Sequence, residues 1–370
     1  MVHGTHNAEA DERNKDIKIF INGELLHRDD AKISVFDSGY LVGDGVWEAL
    51  RLHNDKLVFL DLHLNRMWEA AASVGMNLPF SKEELTDNIW KTIKANDMHD
   101  NVHVRTMVTR GIKKTPSQDP RLTISGPNVV IIAEHKKAAQ VSLDTGIILH
   151  IDNIWKTIKA NDMHDNVHVR TMVTRGIKKT PSQDPRLTIS GPNIVIIAEH
   201  KKAAQVSLDT GIILHTSTIR RGSPDYLDPR LNCHSKLHEV QALIQAIEAG
   251  ADEALMLDAN GFVATCNATN FFITRGKEVW TSTGQYCMNG ITRAKVIEAC
   301  EKNGIVCRQK DFSLYDVYGA DEAFVTGTFG GLTPVTKIDG RVIGEGKNGK
   351  FTKQLRDLYN ELIHEEIQRS

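Results

Sequence analysis

Two stretches of this chain are nearly the same. Residues 87–150, from Asp87-Asn88-Ile89-Trp90 to Ile148-Leu149-His150, recur at 152–215, and the single difference is Val129 against Ile194. The offset is 65 residues. Solenoids also keep a fixed period, but they need about three or more units and their units diverge. Two near-identical copies without a third mark a recent in-frame duplication, in the gene or in its assembly, rather than a repeat fold. The informative length is therefore 305 of the 370 residues, which suits two domains at roughly 100–200 residues each. Less one copy, the chain carries 36 Lys and Arg against 41 Asp and Glu, a net charge of −5 in place of −2. Half of the 16 histidines lie in the repeat, so their number is no sign of metal binding.

The acidic balance argues against a nucleic-acid partner held by bulk electrostatics. No apolar run approaches the length of about 18 residues that a spanning helix needs, so no membrane segment is expected. Residues 1–9 lack both a charged n-region and an apolar h-region, so no secretory leader is expected and the chain reads as cytoplasmic. Cys233, Cys266, Cys287, Cys300 and Cys307 are odd in number and form no C-x-x-C pair. They read as reduced thiols, with no disulfide framework and no metal site.

Residues 1–15 are polar and aperiodic and read as a disordered tail. Residues 16–218 read as a small N-terminal α/β domain containing both copies (87–151 and 152–216), and 219–370 as a larger C-terminal domain. The mixture lacks βαβ regularity, so the class is α+β. Ile17, Ile19 and Ile21 alternate up to Asn22-Gly23, a hairpin signal. Ile33–Phe36 and Trp47–Leu52 read as strands. Asp61 reads as a helix cap before the stripe Leu64, Met67, Trp68 and Ala71, and Ser81 opens a helix to about Asn96. Strands at 102–109 and 128–133 follow. This helix–strand–strand unit is what the repeat doubles. The sequence does not say which copy packs in the domain. The spare one must loop out, exposing apolar strand edges, or disturb the sheet. Arg220–Asp225 reads as an interdomain connection. Beyond it, helices at about 235–249, 291–303 and 350–366 mix with strands at 254–257, 270–274 and 322–326.

Three segments suit an anion. Gly290-Ile291-Thr292-Arg293 sets a glycine before a helix, where backbone N–H groups and the helix dipole favour phosphate. Thr326-Gly327-Thr328-Phe329-Gly330-Gly331 follows a strand and offers hydroxyls with exposed amides. His63-Leu64-Asn65-Arg66 carries a guanidinium on a helix, suited to phosphate. Singly, these are a helix cap, a turn and a solvated arginine.

In this order they are joined by Phe20-Ile21-Asn22-Gly23, Asp37-Ser38-Gly39-Tyr40, Gly43-Asp44-Gly45-Val46-Trp47-Glu48, Asn270-Phe271-Phe272, Ala320-Asp321-Glu322-Ala323-Phe324, Pro334-Val335 and Ile338-Asp339-Gly340. The whole resembles the fold-type IV pyridoxal-phosphate enzymes, the class-IV aminotransferase family, over about residues 17–360 less one copy. That family includes branched-chain aminotransferases, D-amino-acid transaminases and aminodeoxychorismate lyase. The resemblance implies a two-domain α+β fold, pyridoxal 5'-phosphate between the domains, and a homodimer. It implies transfer of an amino group between an amino acid, branched-chain or D-type, and a 2-oxo acid. Arg66, the Ile291 and Thr292 amides, the Thr292 hydroxyl and Thr328 match the family's phosphate contacts. Tyr40 matches a tyrosine near the substrate and the neighbouring subunit. The amides around Thr328 and Phe329 match the turn that receives the substrate carboxylate.

Two positions depart from the family. Counting back from Gly250-Ala251-Asp252-Glu253, its Schiff-base lysine falls at Asn232, whose amide nitrogen is not nucleophilic. Its glutamate facing the pyridine nitrogen falls at Thr265, which can hydrogen-bond but supplies no charge. Lys236, four residues on, is the candidate replacement amine, at about one helical turn or 6 Å. A lyase on the same scaffold, or a phosphate-ligand binder without catalysis, is the alternative reading. Arg105 and Arg110, and their twins Arg170 and Arg175, lie on the strand and loop that border the family's pocket and would suit carboxylate substrates.

Overall fold

The computed structural model describes residues 11–57, 59–100, 102–135, 152–164, 167–200, 205–328 and 330–369. The chain divides into two compact units, Met1–Lys201 and Lys202–Ser370.

The first unit is built on a six-stranded sheet with the order β2-β1-β6-β5-β3-β4. Its strands are β1 (Lys18–Ile21), β2 (Glu24–His27), β3 (Gly45–His53), β4 (Lys56–Leu57), β5 (Val102–Thr109) and β6 (Asn128–His135). Asn22 (φ 50°) and Gly23 (φ 103°) make the β1–β2 turn as the sequence predicts. Helices α1 (Ser38–Val42), α2 (Leu60–Ser73) and α3 (Lys82–Ala95) lie between these strands in the chain. Ser81 and Glu84 form a reciprocal capping box at the start of α3, which fixes its first turn. Leu85, Ile89 and Ile93 of α3, and Leu64, Met67 and Ala71 of α2, are buried.

Three sequence expectations change here. Residues 33–36 form no strand, because their backbone is spent on turns: Ser34 Oγ accepts from the Phe36 N–H, and the Phe36 carbonyl accepts from Lys113. Asp61 does not cap α2; it lies in the first turn, and the N-cap is Phe59 in the left-handed region. The described part of the tail is ordered. Glu12–Lys15 form a 3-10 turn, and Asn14 exchanges two hydrogen bonds with the backbone of His135, extending the edge of β6.

The duplicated segment is divided by chain continuity. The first copy runs on from α2, so it supplies α3, β5 and β6, and β6 sits between β1 and β5. The second copy repeats the same local structure as α4 (Asp152–Ala160), β7 (Val167–Thr174) and β8 (Asn193–His200). The β7–β8 register reproduces β5–β6 pair for pair, yet it forms a separate two-stranded sheet. The six-stranded sheet is undisturbed. The second copy's last residues, contiguous with the second unit, form α5 (Gln205–Thr210) and β9 (Ile212–Thr216).

β9 pairs with β10 (Glu253–Leu257) and β16 (Gly331–Ile338), so residues 212–216 belong to the second sheet and not, as expected, to the N-terminal domain. That sheet also holds β11 (Val263–Cys266), β12 (Asn270–Arg275), β13 (Glu278–Thr281), β14 (Val306–Gln309), β15 (Glu322–Gly327) and β17 (Arg341–Val342). The helices of this unit are α5, α6 (Pro224–Leu227), α7 (Leu237–Glu248), α8 (Ile291–Lys302), α9 (Leu314–Tyr318) and α10 (Lys350–Arg369). One core cluster gathers Leu214, Leu255, Phe271, Ile273, Val325 and Ile338; another, around Phe272, Phe324, Val296 and Leu355, lies under α8 and α10. The five cysteines are free. Among the described residues no helix is long and apolar enough to cross a membrane, and no cluster of His, Cys, Asp or Glu is arranged to hold a metal.

The same substitution at twin positions should have unequal effects. Ile89 is fully buried in α3, whereas Ile154 in α4 is half-buried. Ile89→Ala should cost about 2–5 kcal/mol in urea unfolding followed by circular dichroism. Ile154→Ala should cost no more than about 1 kcal/mol. Equal losses would show that both copies share the main core.

Candidate active site

The second unit carries a polar cradle at one end of its sheet. Gly290 is the N-cap of α8 in extended conformation (φ −62°, ψ 145°). A Cβ at Gly290 would lie 2.4 Å from Asn270 Oδ1, so only glycine lets the helix start this close to β12. Asn270 donates to the Met288 carbonyl (2.9 Å) and reaches Thr265 Oγ1 (3.5 Å). Thr265 donates to the Thr269 carbonyl (2.8 Å), and Thr269 Oγ1 donates to Glu253 (2.7 Å). The cradle thus joins β10, β11, β12 and α8. Thr326 lies opposite Asn270 in the ladder, and its buried hydroxyl has no hydrogen-bond partner among the described residues. Thr292 is buried in the first turn of α8, the Ile291 side chain is exposed, and Thr328 is exposed just past β15. First-turn amides have no intrahelical acceptor and carry the positive end of the helix dipole. Of the expected anion contacts, Ile291, Thr292 and Thr328 lie in this unit. Arg293 does not serve: its buried guanidinium donates to the Ser282 carbonyl and to Gln309. Phe329 lies outside the described residues.

Asn232 is exposed on an irregular segment, and α7 does not begin until Leu237. The one-turn geometry expected between Asn232 and Lys236 is therefore absent. Lys236 is the N-cap residue of α7, and its largely buried amine lies 3.3 Å from Glu239 Oε1. The same oxygen accepts from Arg221 Nη1 at 2.5 Å, and His238 Nε2 lies 3.1 Å from that nitrogen. Burial lowers the His238 pKa below its usual value. Arg221 also donates to the Tyr286 carbonyl (3.3 Å), in the loop that leads to Gly290. The Lys236 cluster is thereby tied to the segment that opens α8. Arg221 was read as part of a connecting loop; burial of the ion pair is a tertiary fact that the sequence does not display.

Arg66 and Tyr40 belong to the first unit. The Arg66 guanidinium forks onto Glu48 (2.6 and 2.7 Å), and His63 Nδ1 lies 2.7 Å from the same carboxylate. Burial pushes the Glu48 carboxyl up, but Arg66 and His63 outweigh it and hold it below its usual range. Of the four arginines read as substrate contacts, Arg110 is committed elsewhere. It forks onto buried Asp44 (2.6 and 3.0 Å) and donates to the carbonyls of Val74 and Gly75 at the end of α2. Its role is to tie α2 to the sheet. Its twin Arg175 is exposed. Arg105 stacks over Trp47, 4.1 Å from the ring centroid, and Arg170 donates to the Leu41 carbonyl (3.1 Å), beside Tyr40. Burial lowers the pKa of both Arg105 and Arg170.

Residues 45–144 and 150–338 match the profile of the amino-transferase class IV family. The chain belongs to that family, whose cofactor is pyridoxal 5'-phosphate. It is 33% identical over 349 residues to the branched-chain-amino-acid aminotransferase-like protein 2 of Arabidopsis thaliana, covering 94% of this chain and 51% of that protein. It therefore spans about half the length of the curated relatives that head the matches. A putative branched-chain-amino-acid aminotransferase of Methanocaldococcus jannaschii is 30% identical over 94% of this chain and 96% of its own length. A D-alanine aminotransferase of Listeria monocytogenes is 27% identical, also over 94% and 96%. The cradle fits the phosphate end of the cofactor: free first-turn amides, an orphan hydroxyl and an obligatory glycine converge there. Thr265, in the same cradle, brings a hydroxyl and no negative charge.

The Glu253–Thr269–Thr265 chain has a pH signature. Burial raises the Glu253 pKa to about 7, against the stabilising bond from Thr269. The folded protein then binds a proton that the unfolded chain has released, so this contribution is full below about pH 4.5 and is lost as pH rises through about 7. Thermal unfolding should show the native protein falling against Glu253→Gln from pH 5 to 8, by on the order of 3 kcal/mol. Parallel curves would remove Glu253 from the network.

Proposed function

We propose that this chain is a pyridoxal-phosphate-dependent aminotransferase that moves an amino group between an amino acid, branched-chain or D-type, and a 2-oxo acid. The observation that carries the reading is the cradle at the start of α8 in a chain of the class IV family. Pyridoxal 5'-phosphate, when bound, supplies a carbonyl that takes up the amino group and a ring that withdraws electrons from the substrate α-carbon. The amides of Ile291 and Thr292 and the Thr328 hydroxyl hold its phosphate. Thr265, with its proton committed to the Thr269 carbonyl, presents lone pairs to its surroundings. Lys236 would supply the amine that holds the cofactor and would carry the α-proton. It can leave Glu239 without stranding a buried carboxylate, because Arg221 stays bound to the same oxygen. Relatives named for branched-chain amino acids and for D-alanine support both substrate classes.

The protein loaded with cofactor should be reduced by borohydride to an adduct on the Lys236 peptide, and it should exchange amino groups from leucine or D-alanine to 2-oxoglutarate. Absence of both adduct and exchange would sink the reading. Adduct-free protein that still binds cofactor would favour the second reading, a non-transaminating enzyme or binder, which the asparagine at 232 and the threonine at 265 support.

Gly290→Ala should weaken binding of the cofactor by at least about tenfold, equivalent to ~1.4 kcal/mol. Fluorescence titration reads this directly, and unchanged affinity would place the phosphate elsewhere.

A further inference from the structure

The second unit buries a cation without giving it a carboxylate. Arg293, in the first turn of α8, is 4% exposed. Its Nη2 donates to the Ser282 carbonyl (2.7 Å) and to Gln309 Oε1 (3.0 Å), and its Nη1 to Asn289 Oδ1 (3.4 Å). These acceptors are all neutral. Its buried Nε has no hydrogen-bond partner among the described residues. A buried guanidinium short of countercharge is costly. The groups near it that can carry a negative charge are thiols. Burial lowers the Arg293 pKa, and Cys287 and Cys307 oppose that.

Helix and strand periods bring one of these thiols to a second cysteine. Arg293, Val296 and Cys300 recur at the spacing of one helical face, and all three are buried. Cys307 and Gln309 lie two apart on β14, so they share a face of the strand. Gln309 reaches Arg293, so Cys307 also faces α8, and it packs against the core cluster that contains Cys300. The link between helix and strand is pinned. The Ile305 N–H donates to the Cys300 carbonyl (2.9 Å) and the Gly304 N–H to the Glu301 carbonyl (3.2 Å), with Gly304 at φ 66°. That is a Schellman turn, and it needs the glycine. The Cys300 thiol donates to Cys307. This bond and then the Arg293 charge hold the Cys307 thiol below its usual pKa, against burial and the Glu301 carboxylate. The same bond, with burial, pushes Cys300 well above. β14 is the last strand of its sheet, paired with β13 alone. Cys307 is half-buried there, whereas Cys266, Cys287 and Cys300 are buried.

We propose that Cys307 and Cys300 form a redox-active dithiol whose substrate is a hydroperoxide. Cys307 is the attacking thiolate, Cys300 the resolving thiol, and Arg293 the cation that holds the thiolate. The Cys307 sulfur attacks the terminal oxygen of the hydroperoxide and the O–O bond breaks. The remaining oxygen leaves with the bonding electrons and takes a proton from solvent, as an alcohol, or as water when the oxidant is hydrogen peroxide. Cys307 is left as a sulfenic acid. The Cys300 sulfur then attacks Cys307 Sγ, the S–O bond breaks, and the departing hydroxide takes the Cys300 proton as water. Two thiols are oxidised to one disulfide and one peroxide bond is reduced. The bridge ties the last turn of α8 to β14, and a small dithiol reverses it by exchange.

Thiol mapping tests this without reference to cofactor or activity. The reduced full chain is treated with hydrogen peroxide at concentrations that leave its circular dichroism unchanged. Its remaining thiols are then alkylated in denaturant and the peptides mapped by mass. A bridge between 300 and 307 is expected, reversed by dithiothreitol, with Cys233, Cys266 and Cys287 still alkylated. A bridge elsewhere, or none, would overturn the proposal. Cys300→Ser should stop at a sulfenic acid on Cys307, trapped by dimedone, and Cys307→Ser should give none at 300. The reverse pattern overturns the assignment of roles. Arg293→Gln should oxidise at least about tenfold more slowly at neutral pH, as for a thiol whose pKa rises by one unit. An equal rate removes Arg293 from the site. The native chain gives the same answer where that variant does not fold. Its oxidation rate should rise at a lower pH than that of a synthetic 303–310 peptide, which carries Cys307 without Cys300 or Arg293. A rise at the same or a higher pH overturns the stabilised thiolate.

Discussion

The β5–β6 ladder has to be made twice, and only one of the two can sit between β1 and β3. Everything else in the first unit follows from that. Eight opposed pairs, from Val102–His135 to Thr109–Asn128, put alternate side chains on the helix side of the sheet, where α2 and α3 bury them. The second ladder has the same pairs and the same hairpin loop, but no flanking strands. Local sequence is sufficient to make the hairpin. It is not sufficient to decide which face goes inside; that depends on what the rest of the chain offers.

Chain continuity resolves the competition. The front of the first copy follows α2 closely enough to join the existing sheet, and the back of the second copy enters β9 directly. The excess 65 residues therefore lie within the stretch between β6 and β9. This is why a domain boundary at 218 misplaces residues 212–216. Their partners are Glu253–Leu255 and Val335–Ile338, pairings that span about 40 and 120 positions and leave no local trace.

What the sequence discloses and what it hides divide on the same physical line. α3 is legible because its cap is local: Ser81, Glu84 and a 3.6-residue stripe lie within one short window. The cradle is legible for the same reason, since Gly290 and the amides after it are consecutive. β16 is hidden because Gly331 and Pro334 break its apolar pattern, although Pro334 is accommodated opposite Phe324. The partners of the charged residues are the least legible. Glu48 reaches Arg66 only because β3 lies beside α2, and Asp44 captures Arg110 across the same sheet. Sequence motifs name cations well and say little about which carboxylate holds them. Glu239, three residues from Lys236, is a partner that helical spacing does disclose.

That partnership bears on how a displaced amine could work. A buried lysine alone with one carboxylate would be locked, because removing it would leave an uncompensated charge. Here one oxygen of Glu239 is shared, and Arg221 holds it at the shorter distance. Arg221 is itself held by the Tyr286 and Pro229 carbonyls. The pair Arg221–Glu239 is thus complete without Lys236, and the lysine is its third member. A relocated amine requires such an arrangement: near enough to a carboxylate to be positioned, and not needed to neutralise it. The irregular backbone from Leu231 to Lys236 adds the freedom that a position within a helix would deny. If Lys236 supplies the amine that the resemblance would place at Asn232, the ion pair that Arg221 shares with it is what leaves the lysine available.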